Sequence, residues 1–472
     1  QIKALIDKKI FDEKFIQIDR VIFSDALNEG SKSLNKEQSK ALDEINKNFE
    51  NHNVTLFHGV TSSGKTELYV KLIEDTLKLK KQVLYLVPEI ALTSQLIHRL
   101  QQYFGQQISV YHSRYSLNER VEAWNHVLNK SSKAQIILGA RSSVLLPFYD
   151  LGLVIVDEEH ELSYKQFDPA PRYHARDTAI VMANHFKAKT ILGSATPSLE
   201  SFHNATVEKK YGYVELNRRY NNVLMPDIEL VDIKDKHRRK RMTGHFSDRL
   251  IEEMKAALDN DFQVILFQNR RGYSPIVECQ TCGHSPYCPN CDVSLTYHQF
   301  RDQLRCHYCG HNVVMHKSCE ACGNLSLDSK GFGTEQVTEE VKQLFPDHKV
   351  ARMDLDTTRG KHSYEKIIGA FEQQETKILV GTQMLTKGLD FRQVKLVGIM
   401  NADSLLNFPD FRAHERSFHL MQQVAGRAGR TDERGKVLIQ TYNPHHKILQ
   451  QVASHDYISM FNEQLADRHT YK

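Results

Sequence analysis

The chain has 472 residues, of which 40% are hydrophobic and 25% charged, with a formal net charge of +4. That length exceeds a single core and calls for two to four domains of ordinary globular composition, while so small a net charge excludes a polyanion-binding surface spread over the whole molecule. No apolar run is long enough to span a bilayer, Gln1–Lys9 is polar and mixed rather than a signal peptide, and a start without Met is what a fragment or a processed chain would show.

Residues 1–33 carry apolar positions without a motif and read as a leading segment, the tail of a preceding domain. From Leu34 onward, Val54–Phe57, Val83–Val87, Ile108–Tyr111, Gln135–Leu138, Leu153–Val156 and Thr190–Leu192 predict buried strands. Helical patterns such as Thr66–Leu79 and Thr93–Phe104 fall between them. Such alternation implies a parallel sheet covered on both faces. This first lobe is expected over 34–225.

Within it, Gly59-Val60-Thr61-Ser62-Ser63-Gly64-Lys65-Thr66 matches the P-loop pattern, after a strand and opening a helix. A loop of this kind turns backbone N–H groups toward phosphate, and the helix N-terminus adds positive potential. Gly59, Thr61, Ser62, Ser63 and Gly64 are therefore expected to cradle ATP. Lys65 should reach its β and γ phosphates, and Thr66 should hold Mg²⁺. Further on, Arg141 in Gly139-Ala140-Arg141-Ser142-Ser143 is a candidate for a nucleic-acid phosphate. The apolar strand Val154–Val156 runs into Asp157-Glu158-Glu159-His160. Asp157 should bind Mg²⁺ through water, and Glu158 should orient and polarise the attacking water. Next, Ser163–Arg176 interleaves aromatics with cations and prolines. Tyr164, Phe167 and Tyr173 are candidates for stacking on unpaired DNA bases, with Lys165 and Arg172 neutralising phosphate.

The basic run Lys234–Arg241 predicts a solvated linker at the junction of two lobes, with DNA contact as the other reading. A second α/β series follows, with strands expected at Val264–Phe267, Lys349–Arg352, Lys377–Val380, Lys395–Met400 and Lys436–Gln440. This second lobe, over 226–272 and 327–472, is interrupted at 273–326 by an insert holding all eight cysteines. They form four Cys-x-x-Cys pairs, the count for two Cys₄ zinc sites. Five residues (283–287) separate Cys282 from Cys288, which is tight for two knuckles on one ion, whereas the fourteen between Cys291 and Cys306 suit a ribbon. Cys288, Cys291, Cys306 and Cys309 should then form an inner site, nested inside an outer one of Cys279, Cys282, Cys319 and Cys322. Four thiolates leave no open position, so both zincs read as structural. The insert would act as a wedge or as a docking site, and His284, His298 and His307 read as surface residues. Finally, Gln422–Arg430 places Arg427 and Arg430 three residues apart, on one side of a helix or helix end. If they meet the P-loop as arginine fingers, ATP draws the lobes shut and hydrolysis releases them.

In order and spacing these elements resemble a superfamily 2 helicase, and within it the PriA family of replication-restart helicases. The resemblance is carried by Gly59–Glu67, Val87-Pro88-Glu89-Ile90, Asp157–His160, Asn269-Arg270-Arg271-Gly272-Tyr273, the cysteine block and Ala402-Asp403 through Arg430, over nearly all of 34–460. It implies two RecA-like lobes, and the same nested zinc sites. It makes Gln38 the residue that reads adenine and Ser194-Ala195-Thr196 a coupling motif. It brings Gly381–Met384 with Lys387-Gly388-Leu389-Asp390 to both ligands, so that Gly388 and Asp390 join the ATP set and Lys387 the DNA set. The resemblance further implies 3′→5′ movement on single-stranded and forked DNA, in replication restart and primosome assembly. Its partners would be single-strand-binding protein and primosome loaders, and its setting the bacterial cytoplasm. We expect a monomer with no membrane association. Three rivals stand beside this reading: an RNA helicase, a double-strand translocase that does not unwind, and a non-catalytic zinc scaffold with a remnant P-loop.

Overall fold

The computed structural model describes residues 32–470 apart from 89–93, 113–114, 221–222, 270–276, 280, 292, 299–301, 307, 326, 329–332, 355, 359, 361–362, 387–390 and 430–433, with a few positions before 32. The first lobe is built on seven strands: β1 Val54–Gly59, β2 Gln82–Leu86, β3 Ile108–Tyr111, β4 Ile136–Gly139, β5 Leu151–Asp157, β6 Lys189–Ser194 and β7 Gly212–Leu216. All pair in parallel in the order β3-β4-β2-β5-β6-β1-β7. β1, β2 and β4 are buried at every residue, which is why they read as unbroken apolar runs. Because β5, β6 and β1 are neighbours, the Asp157 acid cluster, Ser194 and the P-loop leave the sheet side by side at its carboxyl edge, where open α/β sheets bind ligands.

Among the described residues the second lobe is built on a six-stranded sheet: β8 Asp227–Asp232, β9 Gln263–Phe267, β10 Val350–Met353, β11 Ile378–Gly381, β12 Val394–Ile399 and β13 Lys436–Thr441. They too are parallel, in the order β10-β11-β9-β12-β13-β8. One apolar cluster joins the lobes, running from Val154 and Val156 through Leu199 and Phe202 to Phe418, Tyr457, Phe461 and Val437. The insert lies between β9 and β10. Its ends are drawn together where Glu278–Cys279 pairs antiparallel with Leu327–Asp328. Inside them sits a three-stranded antiparallel sheet of Thr296–His298, Gln303–Arg305 and Asn312–Val314. No helix among the described residues is long and apolar enough to cross a membrane.

Two features depart from the sequence expectation. The edge strands β7 and β8 were not predicted. The basic run is no inter-lobe linker: it forms the short helix Ile233–Arg238 directly after β8, inside the second lobe, capped by Asp232. Arg238 and Arg239 both pair with Asp235, at 2.6 and 2.8 Å, and Arg241 lies 3.7 Å from Asp248. Acidic neighbours thus offset much of the charge that made the run conspicuous.

Candidate functional site

The P-loop leaves β1 and turns through Ser62 and Gly64, whose φ angles are +62° and +85°. A side chain at 64 would be strained by that φ and would also collide with the Gln38 amide. The helix Lys65–Lys78 then starts at Lys65, whose Nζ donates to Gly59 O at 2.7 Å. Ser63 Oγ is buried without a hydrogen-bond partner, a costly state that a phosphate oxygen would relieve. Gln38 is brought to this loop, but with both ends of its amide engaged. Its Oε1 accepts from Asn35 N–H at 3.0 Å in a capping box that opens the helix Lys36–Asn51, and its Nε2 donates to Ser63 O at 3.2 Å. In this state it anchors the loop.

Asp157 ends β5 under the P-loop. Its Oδ1 accepts from Glu158 N–H at 3.1 Å and from Tyr69 OH at 3.4 Å, and its Oδ2 accepts from Tyr85 OH at 3.3 Å. Burial, and next the Glu158 charge, push its pKa up to about 6. A carboxylate whose ionisation is this costly in the bare protein fits a divalent cation, which would stabilise the charged form. Glu158 holds a left-handed φ of +47°, the kind of local strain found at functional turns. Its Oε2 is buried without a hydrogen bond, 3.8 Å from His160 Nδ1.

Glu159, which sequence reasoning passed over, is fully buried. It accepts from Arg176 at 2.7 Å, from Ser198 N–H at 2.7 Å and from the Ser198 and Ser201 hydroxyls at 3.0 and 2.8 Å. Burial opposes its ionisation, but the Arg176 charge and the Ser198 N–H outweigh it and hold the pKa below the ordinary carboxylate value.

The second lobe closes on this edge through the helix Ala413–Ala425 and the Gly426-Arg427 turn that follows. A Cβ added to Gly426 would stand 2.7 Å from Thr61 Oγ1. Arg219, just past β7 and also unpredicted, donates to Gly429 O at 2.8 Å, to Ala428 O at 3.4 Å and to Thr61 Oγ1 at 3.4 Å. Arg427, 7% exposed, directly follows the glycine that meets Thr61 of the P-loop. A second contact runs through His160. Gln423 Nε2 lies 2.7 Å from His160 Nε2, and His160 Nδ1 lies 2.8 Å from Ser194 Oγ. With the amide donating, the ring carries its proton on Nδ1 and passes a hydrogen bond to Ser194. Arg430, Lys387, Gly388 and Asp390 fall outside the described residues.

The DNA candidates divide. Tyr164 is a correction: it is fully buried, and its OH donates to Asp157 O at 2.6 Å, with Leu86 O at 3.1 Å. It braces the acid cluster and offers no face to a base. Arg141 donates to Lys165 O at 2.9 Å, Lys165 Nζ donates to Arg172 O at 2.9 Å, and the Tyr173 hydroxyl lies 3.4 Å from Arg141 O. These three are engaged in shaping the loop. Phe167, 64% exposed, and Arg172 stand out at its tip.

In the insert, both thiol sets converge in the nested pairing. Within each of Cys279/Cys282/Cys319/Cys322 and Cys288/Cys291/Cys306/Cys309 the sulfurs lie within 4.8 Å of one another. The Cys309 thiol is brought down to about 6, chiefly by the His311 backbone N–H. Four converging sulfurs with N–H donors behind them fit a tetrahedral zinc. The insert's own apolar core is small, centred on Val277, Val293, Leu295 and Leu304, so bound metal is expected to carry its folding. It leans on the second lobe through Tyr287 OH to Asn407 Oδ1 at 2.6 Å and Phe411 N–H to Tyr308 OH at 3.2 Å.

Family models match in three places: DEAD/DEAH box helicase over residues 35–205, the PriA DNA helicase Cys-rich region domain over 288–312, and the helicase conserved C-terminal domain over 323–432. Among curated proteins, replication restart protein PriA of Bacillus subtilis is 41% identical over 99% of this chain and 58% of its own length. The Synechocystis protein of that name is 44% identical over 89% of this chain and 51% of its own. That of Rickettsia felis is 42% identical over 92% of this chain and 66% of its own. The chain thus spans between about half and two thirds of these relatives. Among solved structures, RecG bound to a three-way DNA junction superposes with a TM-score of 0.53 at 14% identity, covering 92% of this chain and 47% of that one. MrfA bound to DNA and AMPPNP gives 0.53 at 15% identity, covering 98% of this chain and 57% of that one. These two likenesses bear on the fold.

Proposed function

The chain belongs to the PriA family of replication restart proteins across both lobes and the cysteine-rich insert, and from that membership we propose that it is an ATP-driven motor that moves along single-stranded DNA and opens forked DNA. The observation that carries this reading is the contact of Gly426 with Thr61, bridged by Arg219. A nucleotide in the P-loop would touch both lobes at once, so its presence favours the closed arrangement and its cleavage removes that preference.

In this reading Lys65 and the P-loop N–H groups hold the phosphates, with Thr66 and Asp157 placed to hold Mg²⁺. When bound, Mg²⁺ neutralises charge on the phosphates. Glu158 orients the attacking water. Arg427, with Arg430, counters the charge that grows on the transferred group. Phe167 and Arg172 at the loop tip contact a base face and a phosphate, and phosphate contacts make binding salt-sensitive and indifferent to sequence. The 3′→5′ direction, work in replication restart and primosome assembly, and partnership with single-strand-binding protein and loader proteins follow from the family and form the finer part of the proposal.

The test is ATP turnover with single-stranded DNA, with RNA and without nucleic acid, beside unwinding of a DNA fork. DNA is expected to stimulate turnover and the fork to open in an ATP-dependent way. Turnover indifferent to DNA, or raised more by RNA, overturns the reading.

A further inference from the structure

The segment Ser194–Leu199, which links β6 to the helix Leu199–Thr206, is gripped from both lobes. On the first-lobe side, burial pushes the His58 pKa down to about 4, so its ring is neutral. Its Nε2 donates to Ala195 O at 3.1 Å while its Nδ1 accepts from Tyr213 OH at 3.0 Å. His160 binds Ser194 Oγ, and Glu159 accepts the Ser198 N–H, as described above.

The second lobe takes hold at two further points. Tyr457 OH donates to Pro197 O at 2.9 Å, and Glu415 Oε1 accepts the Leu199 N–H at 3.2 Å. Both side chains are buried, at 7% and 1% exposure. Tyr457 opens the helix Tyr457–Thr470, beyond the Gln422–Arg430 motif, and its ring packs edge-on to Phe202 and His58 at 5.0 and 5.3 Å. Glu415 brings a charge already paired with Arg412 and Arg468 at 2.9 and 2.6 Å.

Parting the lobes would strip Pro197 O and the Leu199 N–H of these partners, and buried polar groups resist being left unpaired. The position of the segment is thus tied to lobe closure. Through Ser194 and His160 that tie reaches the turn that carries Glu158.

We propose that Tyr457, together with Glu415, is a positioning residue that registers closure of the second lobe on Ser194–Leu199 and so aligns Glu158 for hydrolysis. The proposal rests on the motor reading above.

The experiment measures kcat and KM for ATP in wild type, Tyr457→Phe and Phe461→Leu, with and without saturating single-stranded DNA, well below each protein's thermal midpoint. Tyr457→Phe removes one hydroxyl and keeps the ring. Loss of one net hydrogen bond corresponds to roughly a three- to tenfold effect. The expected result is a fall of that size in DNA-stimulated kcat, with KM for ATP unchanged and the thermal midpoint lowered by a few degrees at most. Phe461→Leu, which trims the same apolar contact, leaves kcat and KM as in wild type. An unchanged kcat in Tyr457→Phe, a rise in KM that accounts for the loss, or the same loss in Phe461→Leu overturns the proposal. Wild-type turnover that ignores DNA would instead sink the motor reading, and the positioning role is then judged on kcat without DNA by the same criteria.

Discussion

The nucleotide cleft and the cysteine-rich insert solve opposite problems with the same kind of polar chemistry. In the cleft, Ser63 Oγ and Glu158 Oε2 are buried without hydrogen bonds, Asp157 is costly to ionise and Glu158 sits at a left-handed φ. In the insert, eight thiols close into two sets of four, each able to satisfy one tetrahedral ion with no position to spare. Groups left waiting mark a place where something comes and goes, whereas groups that complete one another mark a permanent fixture. On the proposed function the difference also separates what each region gives the molecule: turnover from the first, shape from the second.

The sharpest way to break this contrast is Lys65→Ala. Removing a charge aimed at the transferred phosphate is expected to cut ATP turnover by about a hundredfold or more, with little change in the thermal midpoint. A midpoint that collapses would make Lys65 a structural residue. Next comes acid. Burial opposes the Glu415 charge, but the Arg412 guanidinium and its neighbours bring its pKa from 4.5 to about 2. A depressed carboxyl contributes stability that is whole above pH 4.5 and lost as pH falls toward 2, here of order 3 kcal/mol. Urea unfolding followed from pH 5 to pH 2 should show this loss in wild type and little of it in Glu415→Gln; equal slopes would remove Glu415 from the account. Zinc removal probes the other region. Chelation is expected to reduce fork unwinding about tenfold while ATP turnover on single-stranded DNA falls less than about twofold, because folding of the insert alone depends on the metal. Equal losses would mean the two regions are not separable. The smallest effect is at the loop tip: Phe167→Ala should weaken single-stranded DNA about five- to tenfold by fluorescence anisotropy, one lost base stack, while Tyr164→Phe should leave DNA affinity unchanged. A reversal of that order would return Tyr164 to the DNA set.

Much of this was legible in the chain. Buried strands such as β1 and β4 announced themselves because both faces are covered, and the zinc nesting followed because an ion restricts which thiols can share it. What was not legible depended on facing. β8 is a half-exposed edge rich in acids, Asp-Ile-Glu-Leu-Val-Asp, and it carries no continuous apolar signal. Tyr164, Phe167 and Tyr173 look alike in composition, and only the turn after β5 decides that the first points inward. The fully buried Glu159 was hidden for the same reason: among three consecutive carboxyl-side residues, sequence does not say which one the backbone rotates into Arg176 and Ser198. Arg219 gave no signal, since the Arg218-Arg219 pair after β7 belongs to no motif.

One detail of the insert has consequences for how such a molecule can vary. Its entry and exit, Glu278–Cys279 and Leu327–Asp328, run antiparallel as direct partners, so the whole appendage hangs from a two-stranded stem and interrupts β9-to-β10 connectivity without spreading it. Such an attachment can be lengthened, exchanged or shortened to a tight hairpin while the sheet that bears it keeps its register. The appendage is therefore joined to the second lobe by its stem and by the contacts that Tyr287 and Tyr308 make with Asn407 and Phe411.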